Sequence, residues 1–294
     1  MEVVICAIAR KENRYVREWV NYHLSIGFSH IYLYDNNREG EERLDEVLTN
    51  INNVTIIPYH DVVCWPQIKA YEDCWMRFKF DWCLFIDLDE FFTFGNQWGG
   101  EENMESFVKS IKEAEVVLLN WMTYGDNGNT EYENRPVVER FPKPLPLNFS
   151  ISNMFGKQPV NGHVKSLVKH TADFSAAGPH VGRGIFKCCN ADGESVENKA
   201  WQKNQTYKTA YLRHYITKSI SEYFDCKLGR GLADQKPDVV NKMSYFFLYN
   251  KPTIKKLLFF YRMKRKCHNE EKISLIWWLK QIIKYYFITP LFVK

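Results

Sequence analysis

Several common sequence features are absent from this chain of 294 residues. It has eight cysteines, but no two of them form a Cys-x-x-Cys pair. Cys6 and Cys83 fall inside predicted strands, where small buried thiols are ordinary. This pattern argues against a disulfide framework or a zinc site and favours a reducing compartment. The first residues also lack a basic segment followed by a long apolar run, so we expect no signal peptide.

Charge is unevenly distributed along the chain. The overall net charge is +4, but residues 251–294 carry eleven Lys and Arg against two Glu, a net charge of +9. The remaining residues, with 28 basic and 33 acidic side chains, carry a net charge of −5. Hydrophobic residues make up 45% of the chain and aromatic residues 16%, enough for a substantial core. The composition therefore indicates an acidic folded body followed by a basic, aromatic tail.

The most informative stretch runs from Asp81 to Phe92. Its apolar segment, residues 82–86, has the length and composition of a strand buried on both faces. Asp87 and Asp89 follow at once, and residues two apart lie on the same side of an extended chain. Buried carboxylates need a partner or a metal, and oxygen ligands favour Mg²⁺ or Mn²⁺. The pattern predicts a cation site that would also bind a nucleotide diphosphate. An Asp-x-Asp pair alone also fits a strand that ends in solvated aspartates.

Apolar segments in residues 1–122 predict alternating strands and helices. We expect strands at residues 3–9, 31–34, 54–57, 82–86 and 116–119. Apolar residues at helical spacing predict helices around residues 15–26, 44–51, 66–78 and 104–111. Gly27 suits the end of the first helix, and Pro66 suits the start of the third. Strands separated by helices at this spacing predict a mostly parallel, Rossmann-like α/β sheet.

The rest of the chain is expected to differ in character. Residues 123–215 are rich in loop signals, which usually supply the walls of a site. A helix is expected to begin at Ser219, with Glu222 completing a capping box. Further helices are expected at residues 252–267 and 272–288. We therefore divide the chain into a domain of residues 1–236, with halves 1–122 and 123–236, and a helical tail of residues 237–294.

Four separated motifs stand out along the chain. They are Glu12-Asn13 with the segment from Glu18 to Asn37, Phe85-Ile86-Asp87-Leu88-Asp89-Glu90-Phe91, Trp121-Met122-Thr123-Tyr124-Gly125, and His214-Tyr215-Ile216-Thr217-Lys218-Ser219. Together they resemble the motifs of the glycosyltransferase family 92-like and family 2-like enzymes, in the same order from about Val3 to about Gly231. The resemblance implies a GT-A fold and transfer of a sugar from a nucleotide-sugar, often a UDP-sugar, to an acceptor hydroxyl.

The resemblance implies roles for five residues in binding the nucleotide-sugar. Glu12 lies in the loop after the first strand, where the nucleoside is expected. Asp35 is expected to accept a hydrogen bond from the uracil N–H, and Asn37 to contact ribose or base. Lys69 is expected to reach the diphosphate as a point charge. Asp87 is expected to contact ribose or metal-bound water, or to share in binding the metal.

The same resemblance implies metal and acceptor contacts. Asp89 is expected to bind Mn²⁺ or Mg²⁺ directly, and His214 is a candidate for a further ligand. Trp121 and Tyr124 are candidates for stacking on the acceptor sugar, and His180 is a candidate for an acceptor contact. Structural roles remain open for His214 and for the aromatic residues, because aromatic side chains are more often part of a core.

In an inverting reaction, which we expect here, a carboxylate must accept the proton of the acceptor hydroxyl. The candidates are Glu222, Asp126 and Asp234, and the sequence does not choose among them. Each also fits a helix cap, a turn residue or a solvated charge.

The basic tail has two interpretations. Lysines and aromatic residues together are typical of a helix at an anionic membrane surface. Lys280 and Lys284 argue against a membrane span, because central lysines are costly there. The alternative is a helix pair packed on the catalytic domain. No nucleic-acid-binding motif is present.

These features predict a cytoplasmic enzyme at the inner face of the membrane. We expect its acceptor to be a glycan or lipid-linked glycan of a cell-surface polysaccharide or lipopolysaccharide. One alternative is a sugar-phosphate nucleotidyltransferase, which usually has a glycine-rich loop after the first strand; Arg10-Lys11-Glu12-Asn13 has no glycine. Another is a non-catalytic glycan- or nucleotide-binding module of the same fold.

Overall fold

The computed structural model describes residues 1–111, 113–153, 156–231, 241–268 and 280. The strands in these ranges are β1 Val3–Ala9, β2 His30–Asp35, β3 Val54–Pro58, β4 Trp82–Phe85, β5 Glu90–Phe94, β6 Val116–Thr123, β7 Ser150–Asn153, β8 Gly156–Pro159, β9 Val164–Lys169, β10 Ser175–Ala176, β11 Gly182–Arg183, β12 Cys188–Asn190 and β13 Ala210–His214. The helices are α1 Asn13–Ser25, α2 Pro66–Arg77, α3 Met104–Ser110, α4 Val137–Arg140, α5 Ile220–Glu222, α6 Met243–Tyr249 and α7 Ile254–His268. Short 3-10 turns at Leu44–Glu46 and Val160–Gly162, and a π-helical turn at Tyr223–Lys227, complete the description.

The predicted alternation of strands and helices is confirmed for most of residues 1–122. β1 has the predicted bounds, and all seven of its residues are buried. α1 ends as expected near Gly27, which adopts a left-handed φ of 94°. α2 begins at Pro66, where the missing N–H of proline costs the helix nothing. Apolar runs and simple helix signals therefore account for the main elements of this half.

Two elements differ from the prediction. The helix expected over residues 44–51 is wrong, because only the turn Leu44–Glu46 forms there. Asn and Thr, which are poor helix formers, fill the following residues, and Asn50 takes a left-handed φ of 63°. The aromatic residues after the two aspartates form the additional strand β5, which the sequence analysis did not predict.

A single sheet dominates the described part of the chain. Its strand order is β3-β2-β1-β4-β9-β6-β13-β5, and β12 pairs with β6. β1 runs parallel to β2 and β4, and β2 runs parallel to β3. β9 pairs antiparallel with both β4 and β6, and β13 pairs antiparallel with β5. The predicted α/β fold with a mostly parallel, GT-A-type sheet flanked by helices is therefore confirmed.

The chain forms two compact units. The first contains residues 1–122, 161–214 and 231–239, and it includes most of the large sheet. In its core, Tyr71 and Trp75 of α2 pack against β4, with ring centroids 4.8 and 6.4 Å from that of Phe85. Cys6 and Cys83 lie in the same core as free thiols, as expected for buried cysteines in strands.

The second unit contains residues 123–160, 215–230 and 240–294. Its described part has an apolar core formed by Ile220, Tyr223, Met243, Phe246, Phe247, Leu257 and Phe260. The capping box predicted at Ser219 is present, since the Ser219 hydroxyl accepts from the Glu222 N–H and the Glu222 carboxylate accepts from the Ser219 N–H. The division into residues 1–236 and a separate tail stays a prediction.

The helix predicted at residues 252–267 forms as α7, and its first part is packed rather than free. Leu257 and Phe260 of α7 are buried in the core of the second unit. Lys256 is 4% exposed, and its ammonium contacts the carboxylate of Asp126 and donates to the Lys251 carbonyl at 3.0 Å. For this part of α7, the interpretation of a helix packed on the protein therefore holds. The helix expected at residues 272–288 lies outside the described residues, apart from Lys280.

Within the described residues, no helix combines the length and the apolar composition required to cross a bilayer.

Candidate active site

The two aspartates of the Asp-x-Asp motif lie in a tight turn between β4 and β5. The Glu90 N–H donates to the Asp87 carbonyl at 3.0 Å, and the Asp87 N–H donates to Glu90 Oε2 at 2.8 Å. These reciprocal bonds hold the turn closed. The side chain of Asp87 is 34% exposed, whereas that of Asp89 is only 10% exposed. The turn therefore presents two carboxylates that differ in their access to solvent.

Asp87 is held by side chains from two other elements. Lys165 of β9 donates from Nζ to Asp87 Oδ2 at 2.8 Å. Gln67 of α2 contacts Asp87 Oδ1 through its amide nitrogen and also donates to the Tyr71 hydroxyl at 2.8 Å. Both oxygens of the Asp87 carboxylate are thus occupied by donors from the protein.

Lys165 and Glu90 form the buried part of this cluster. Both side chains are fully buried, and Lys165 Nζ lies 3.8 Å from Glu90 Oε2. Burial raises the pKa of Glu90 well above its usual value; the charges of Asp87 and Asp89 act in the same direction, whereas that of Lys165 opposes them. Burial by itself would lower the pKa of Lys165, but the charges of Asp87 and Glu90 outweigh it and raise the pKa. The cluster therefore retains a buried ammonium ion.

Asp89 faces a histidine from a different strand. β13 pairs with β5 so that His214 lies opposite Glu90, one residue from Asp89. His214 Nε2 is 3.5 Å from Asp89 Oδ1, and both side chains are largely buried. A carboxylate oxygen and an imidazole nitrogen at this separation suit a shared divalent cation.

No three His, Cys, Asp or Glu side chains come together as a complete metal-binding group in the described part of the chain. This does not conflict with the expected metal. Mg²⁺ usually takes one or two protein carboxylates, retains water, and uses the phosphates of its substrate as the remaining ligands. The residues present therefore fit a cation that is bound together with a nucleotide diphosphate.

Next to Asp89, one tryptophan packs against three histidines. The ring centroid of Trp121 lies 4.2 Å from that of His214, 5.0 Å from that of His163 and 5.2 Å from that of His180. Burial lowers the pKa of His163 to about 4 and that of His180 to about 3. These two imidazoles are therefore neutral near pH 7, and each has one nitrogen that donates and one that accepts.

Two polar atoms of this aromatic cluster have no hydrogen-bond partner among the described residues. They are Trp121 Nε1 and His163 Nδ1, and both atoms are buried. Buried donors and acceptors normally have a hydrogen-bond partner, because a buried polar atom without a hydrogen bond costs free energy. A polar ligand such as a sugar hydroxyl would satisfy them.

The residues predicted to bind the nucleoside lie at the ends of β1 and β2. Asp35 is 4% exposed, and its Oδ1 accepts from the Asn37 N–H at 3.0 Å and from Asn37 Nδ2 at 2.8 Å. Asp35 Oδ2 accepts from the Leu44 N–H at 3.1 Å. Asn37 Oδ1 in turn accepts from the Lys11 N–H at 2.8 Å. Asp35 thus organises the loops at this edge, and its role toward uracil stays a prediction.

The other two candidates in this region have different surroundings. Glu12 precedes α1 and is 4% exposed, and its carbonyl accepts from the N–H groups of Tyr15 and Val16 at 2.9 Å. Lys69 is exposed on α2, two residues after Gln67, which contacts Asp87. Their roles in binding the donor stay predictions.

Two of the three candidates for the catalytic base take part in ion pairs within the second unit. Glu222 Oε2 accepts from Arg140 Nη1 at 2.8 Å, and both side chains are almost completely buried. Asp126 contacts the buried Lys256, and its Oδ1 accepts from the Gly128 N–H at 2.9 Å. These contacts favour structural roles for both carboxylates. Asp234 lies outside the described residues.

Tyr124, predicted to contact the acceptor, is buried in the second unit with its ring centroid 4.7 Å from that of Tyr215. This packing favours a core role, and its contact with an acceptor stays a prediction.

Lys165, Gln67 and Glu90 were not predicted as site residues. One signal was available for Lys165, because it stands in the segment Val164–Lys169, which forms a strand with five buried residues. A lysine inside a buried strand requires an acidic partner. The pairing of that strand with β4, which places Lys165 beside Asp87, was not readable from the sequence.

The described residues thus combine a mostly parallel sheet, an Asp-x-Asp turn at a strand end and a histidine that faces the second aspartate, as the sequence motifs predicted for a GT-A-type domain. The family model for glycosyltransferase family 92 matches residues 2–219. The chain therefore belongs to glycosyltransferase family 92, which confirms the resemblance found in its motifs.

Curated relatives are plant members of the same family. A glycosyltransferase family 92 protein of Ricinus communis is 36% identical over 224 residues, which cover 74% of this chain and 38% of the relative. A family 92 protein of Oryza sativa subsp. japonica is 34% identical over 102 residues, which cover 32% of this chain and 16% of the relative. The chain thus spans well under half the length of the relatives it matches.

Among solved structures, S. aureus TarS 1–349 is similar at a TM-score of 0.38 and 12% identity, covering 100% of this chain and 83% of that chain. Its complex with UDP-GlcNAc has a TM-score of 0.36 at 12% identity, covering 100% and 84%. HddC from Yersinia pseudotuberculosis has a TM-score of 0.33 at 10% identity, covering 73% and 77%.

Proposed function

We propose that this chain is a metal-dependent glycosyltransferase that moves a sugar from a nucleotide-sugar, taken here as a UDP-hexose, to a glycan hydroxyl. The observation that carries the proposal is the approach of His214 Nε2 to within 3.5 Å of Asp89 Oδ1, beside the turn that contains Asp87. Membership of glycosyltransferase family 92 supports the class of reaction.

Asp89 and His214 would hold Mn²⁺ or Mg²⁺ in this proposal. Such a cation would neutralise the negative charge that develops on the nucleoside diphosphate as the sugar leaves. His214 lies in β13, and Asp89 directly precedes β5, which pairs antiparallel with β13, so this pairing brings the two side chains together. Little rearrangement is then needed when the donor binds.

Other residues of the first unit would orient the donor. Asp87 is fixed by Lys165 and Gln67, and its partly exposed carboxylate can accept from a ribose hydroxyl. The loops organised by Asp35 and Asn37 would hold the nucleoside. Holding the donor in one orientation means that its translational and rotational entropy is lost on binding, so this loss no longer contributes to the barrier of the chemical step.

The aromatic cluster would contact the sugar. Trp121 offers an apolar face to a sugar ring, and its Nε1 lacks a partner among the described residues. The neutral imidazoles of His163 and His180 can donate to and accept from hydroxyl groups. The combination of an indole face with neutral polar groups suits an uncharged, hydroxyl-rich ligand.

An inverting outcome is part of the proposal, and it requires a carboxylate that takes the acceptor proton. The ion pairs of Glu222 with Arg140 and of Asp126 with Lys256 make those two carboxylates less available for this role. We also propose a cell-surface polysaccharide or lipopolysaccharide as the acceptor, reached at the inner face of the membrane. The net charge of +9 in residues 251–294 supports contact with anionic lipid.

A donor-hydrolysis screen over nucleotide sugars, with and without Mn²⁺, tests the proposal. We expect Mn²⁺-dependent release of a nucleoside diphosphate from one donor, and loss of that release in Asp89→Asn. Asp173→Asn is the matched control, because Asp173 is an exposed aspartate of the same unit. Hydrolysis that is independent of Mn²⁺ and equal in Asp89→Asn and the wild type would contradict the proposed metal dependence. Nucleoside monophosphate and sugar phosphate as the products would indicate cleavage of the diphosphate bond, as in nucleotidyl transfer, instead.

A further inference from the structure

Trp121 and His163 lie on the same face of the sheet as Lys165. Leu119 of β6 is paired with Lys165 of β9. Two residues further along β6, the Trp121 N–H donates to the His163 carbonyl at 3.0 Å. Alternate residues of an extended chain share a face, so His163 follows Lys165 on that face at about 7 Å along the chain. Since Lys165 Nζ is 2.8 Å from Asp87 Oδ2, Trp121 and His163 adjoin the Asp-x-Asp turn.

His180 adds a hydrogen-bond acceptor at a fixed position. Its Nδ1 lies 2.8 Å from the Val164 carbonyl oxygen, and the Ser166 hydroxyl donates to the His180 carbonyl at 2.7 Å. Because a carbonyl oxygen only accepts, Nδ1 of His180 carries the proton, and Nε2 of the neutral ring is the acceptor. The ring is neutral near pH 7, since burial lowers the pKa of His180 to about 3. Two hydrogen bonds with β9 thus hold this acceptor in place before a ligand binds.

Trp121 supplies a donor beside that acceptor. Its side chain is 8% exposed, and its Nε1 has no hydrogen-bond partner among the described residues. Its ring centroid lies 5.2 Å from that of His180 and 5.0 Å from that of His163, and both histidines are partly exposed. His163 Nδ1, which can donate or accept, also lacks a partner in the part of the chain that the structure describes. A donor next to an acceptor suits a hydroxyl group, because a hydroxyl both donates and accepts.

We propose that Trp121, His163 and His180 form the subsite for the transferred sugar of the donor, and that Trp121 Nε1 and His180 Nε2 together recognise one free hydroxyl group of that sugar. The transferred sugar is bonded directly to the diphosphate, so its subsite must adjoin the residues that would hold the diphosphate and the metal. The ring centroid of Trp121 is 4.2 Å from that of His214. The inference rests on the proposed function and deepens it. It assigns to the donor sugar two residues for which the resemblance implied an acceptor contact.

Isothermal titration calorimetry with Mn²⁺ present and no acceptor tests this assignment. The probes are UDP-glucose, UDP-galactose and the analogues of each that lack one hydroxyl group. In the wild type, we expect removal of the recognised hydroxyl to raise the Kd about tenfold, because it leaves a buried donor and an acceptor without their partner. In Trp121→Phe and in His180→Phe, the same removal should raise the Kd only about threefold, because one of the two recognising groups is already absent.

The matched controls are Trp98→Phe and His30→Phe. Trp98 Nε1 donates to the Glu101 carbonyl at 2.9 Å, and His30 lies at the opposite end of β2 from Asp35. Both controls should retain the tenfold ratio of the wild type. The ratio of two Kd values is taken within each variant, so a general weakening of donor binding cancels.

Two results would overturn the inference. One is a wild type in which no hydroxyl of the donor sugar affects the Kd, and the other is a ratio that stays at the wild-type value in both Trp121→Phe and His180→Phe. Either result would leave the aromatic cluster to the acceptor or to the core. The wild-type measurement decides even where a variant does not fold. If the wild type binds neither UDP-glucose nor UDP-galactose, the proposed function fails instead.

Discussion

The buried pair of Glu222 and Arg140 allows a test that separates a structural carboxylate from a catalytic base. Glu222 Oε2 accepts from Arg140 Nη1 at 2.8 Å and from the Ser219 N–H at 3.1 Å. The side chains of Arg140 and Glu222 are 2% and 1% exposed. Arg140 also donates from Nε to the Arg135 carbonyl at 2.9 Å, so it cannot leave easily when its partner is removed.

We expect Glu222→Gln to destabilise the second unit by about 3 kcal/mol. Breaking a buried ion pair on one side costs about 3–5 kcal/mol, because the remaining charge stays buried without compensation. The lower figure applies because glutamine can still accept from the Ser219 N–H in the capping box. With an m-value of about 1–3 kcal/mol per molar urea, such a loss lowers the unfolding midpoint by about 1 M or more.

Urea denaturation followed by circular dichroism is the assay, and Glu133→Gln is its matched control. Glu133 pairs with Arg135 at 2.7 Å, but these side chains are 55% and 56% exposed. Exposed ion pairs contribute little to stability, so the control should unfold at the wild-type urea concentration. Arg140→Met should resemble Glu222→Gln, since it leaves the other half of the same pair buried. A wild-type midpoint for Glu222→Gln, combined with complete loss of sugar transfer, would refute the structural interpretation and identify Glu222 as the base.

The pH dependence of the same variant gives an independent check. Burial alone would raise the pKa of Glu222, but its hydrogen bonds with Arg140 and Ser219 outweigh this and lower the pKa. A lowered pKa in the folded state means that the ionised side chain stabilises the fold above the unfolded-state pKa of about 4.3. This contribution is lost as the pH falls through the folded-state pKa. The stability difference between the wild type and Glu222→Gln should therefore be full at pH 7 and shrink below about pH 4.

Three further predictions address the metal, the nucleoside and the tail. Asp89→Asn should abolish Mn²⁺-dependent UDP binding in calorimetry without changing the circular dichroism spectrum, and unchanged affinity would remove Asp89 from the metal site. Asp35→Ala should reduce the preference for UDP over other nucleoside diphosphates by about 1.5–3 kcal/mol in competition binding, the cost of a lost charge-assisted hydrogen bond; an equal loss for all nucleotides would mean that Asp35 only organises its loops. Deleting residues 252–294 should unfold the second unit, because Leu257 and Phe260 belong to its core, whereas deleting residues 269–294 should spare donor hydrolysis. If the shorter deletion weakens binding to anionic vesicles in a salt-dependent way, the membrane interpretation holds for that segment.

Local signals in the sequence were sufficient for most elements of residues 1–122. β1 and α2 follow from an unbroken apolar run and from a proline at a helix start. The Asp-x-Asp motif could also be placed at the end of a buried strand, because a strand that is buried on both faces has a nearly continuous run of apolar residues. The motif order alone also indicated the family that the profile match confirms. The prediction of a helix at residues 44–51 was wrong, because only the turn Leu44–Glu46 forms there. The prediction relied on the spacing of the apolar residues and gave too little weight to the weak helix formers among them.

The partners of individual charged residues were decided by the tertiary structure. Lys165 meets Asp87 across 78 positions of sequence, and Arg140 meets Glu222 across 82. Asp126 was a candidate base, but it contacts Lys256, which lies in a helix for which the sequence left open membrane contact or packing on the catalytic domain. Spacing within a strand or helix specifies which face a side chain occupies, but strand order and helix packing decide which charge it meets there. The sequence by itself therefore determined most elements of residues 1–122, the acidic motif and the family, whereas the fold determined which carboxylates are paired with a buried cation and which one faces His214.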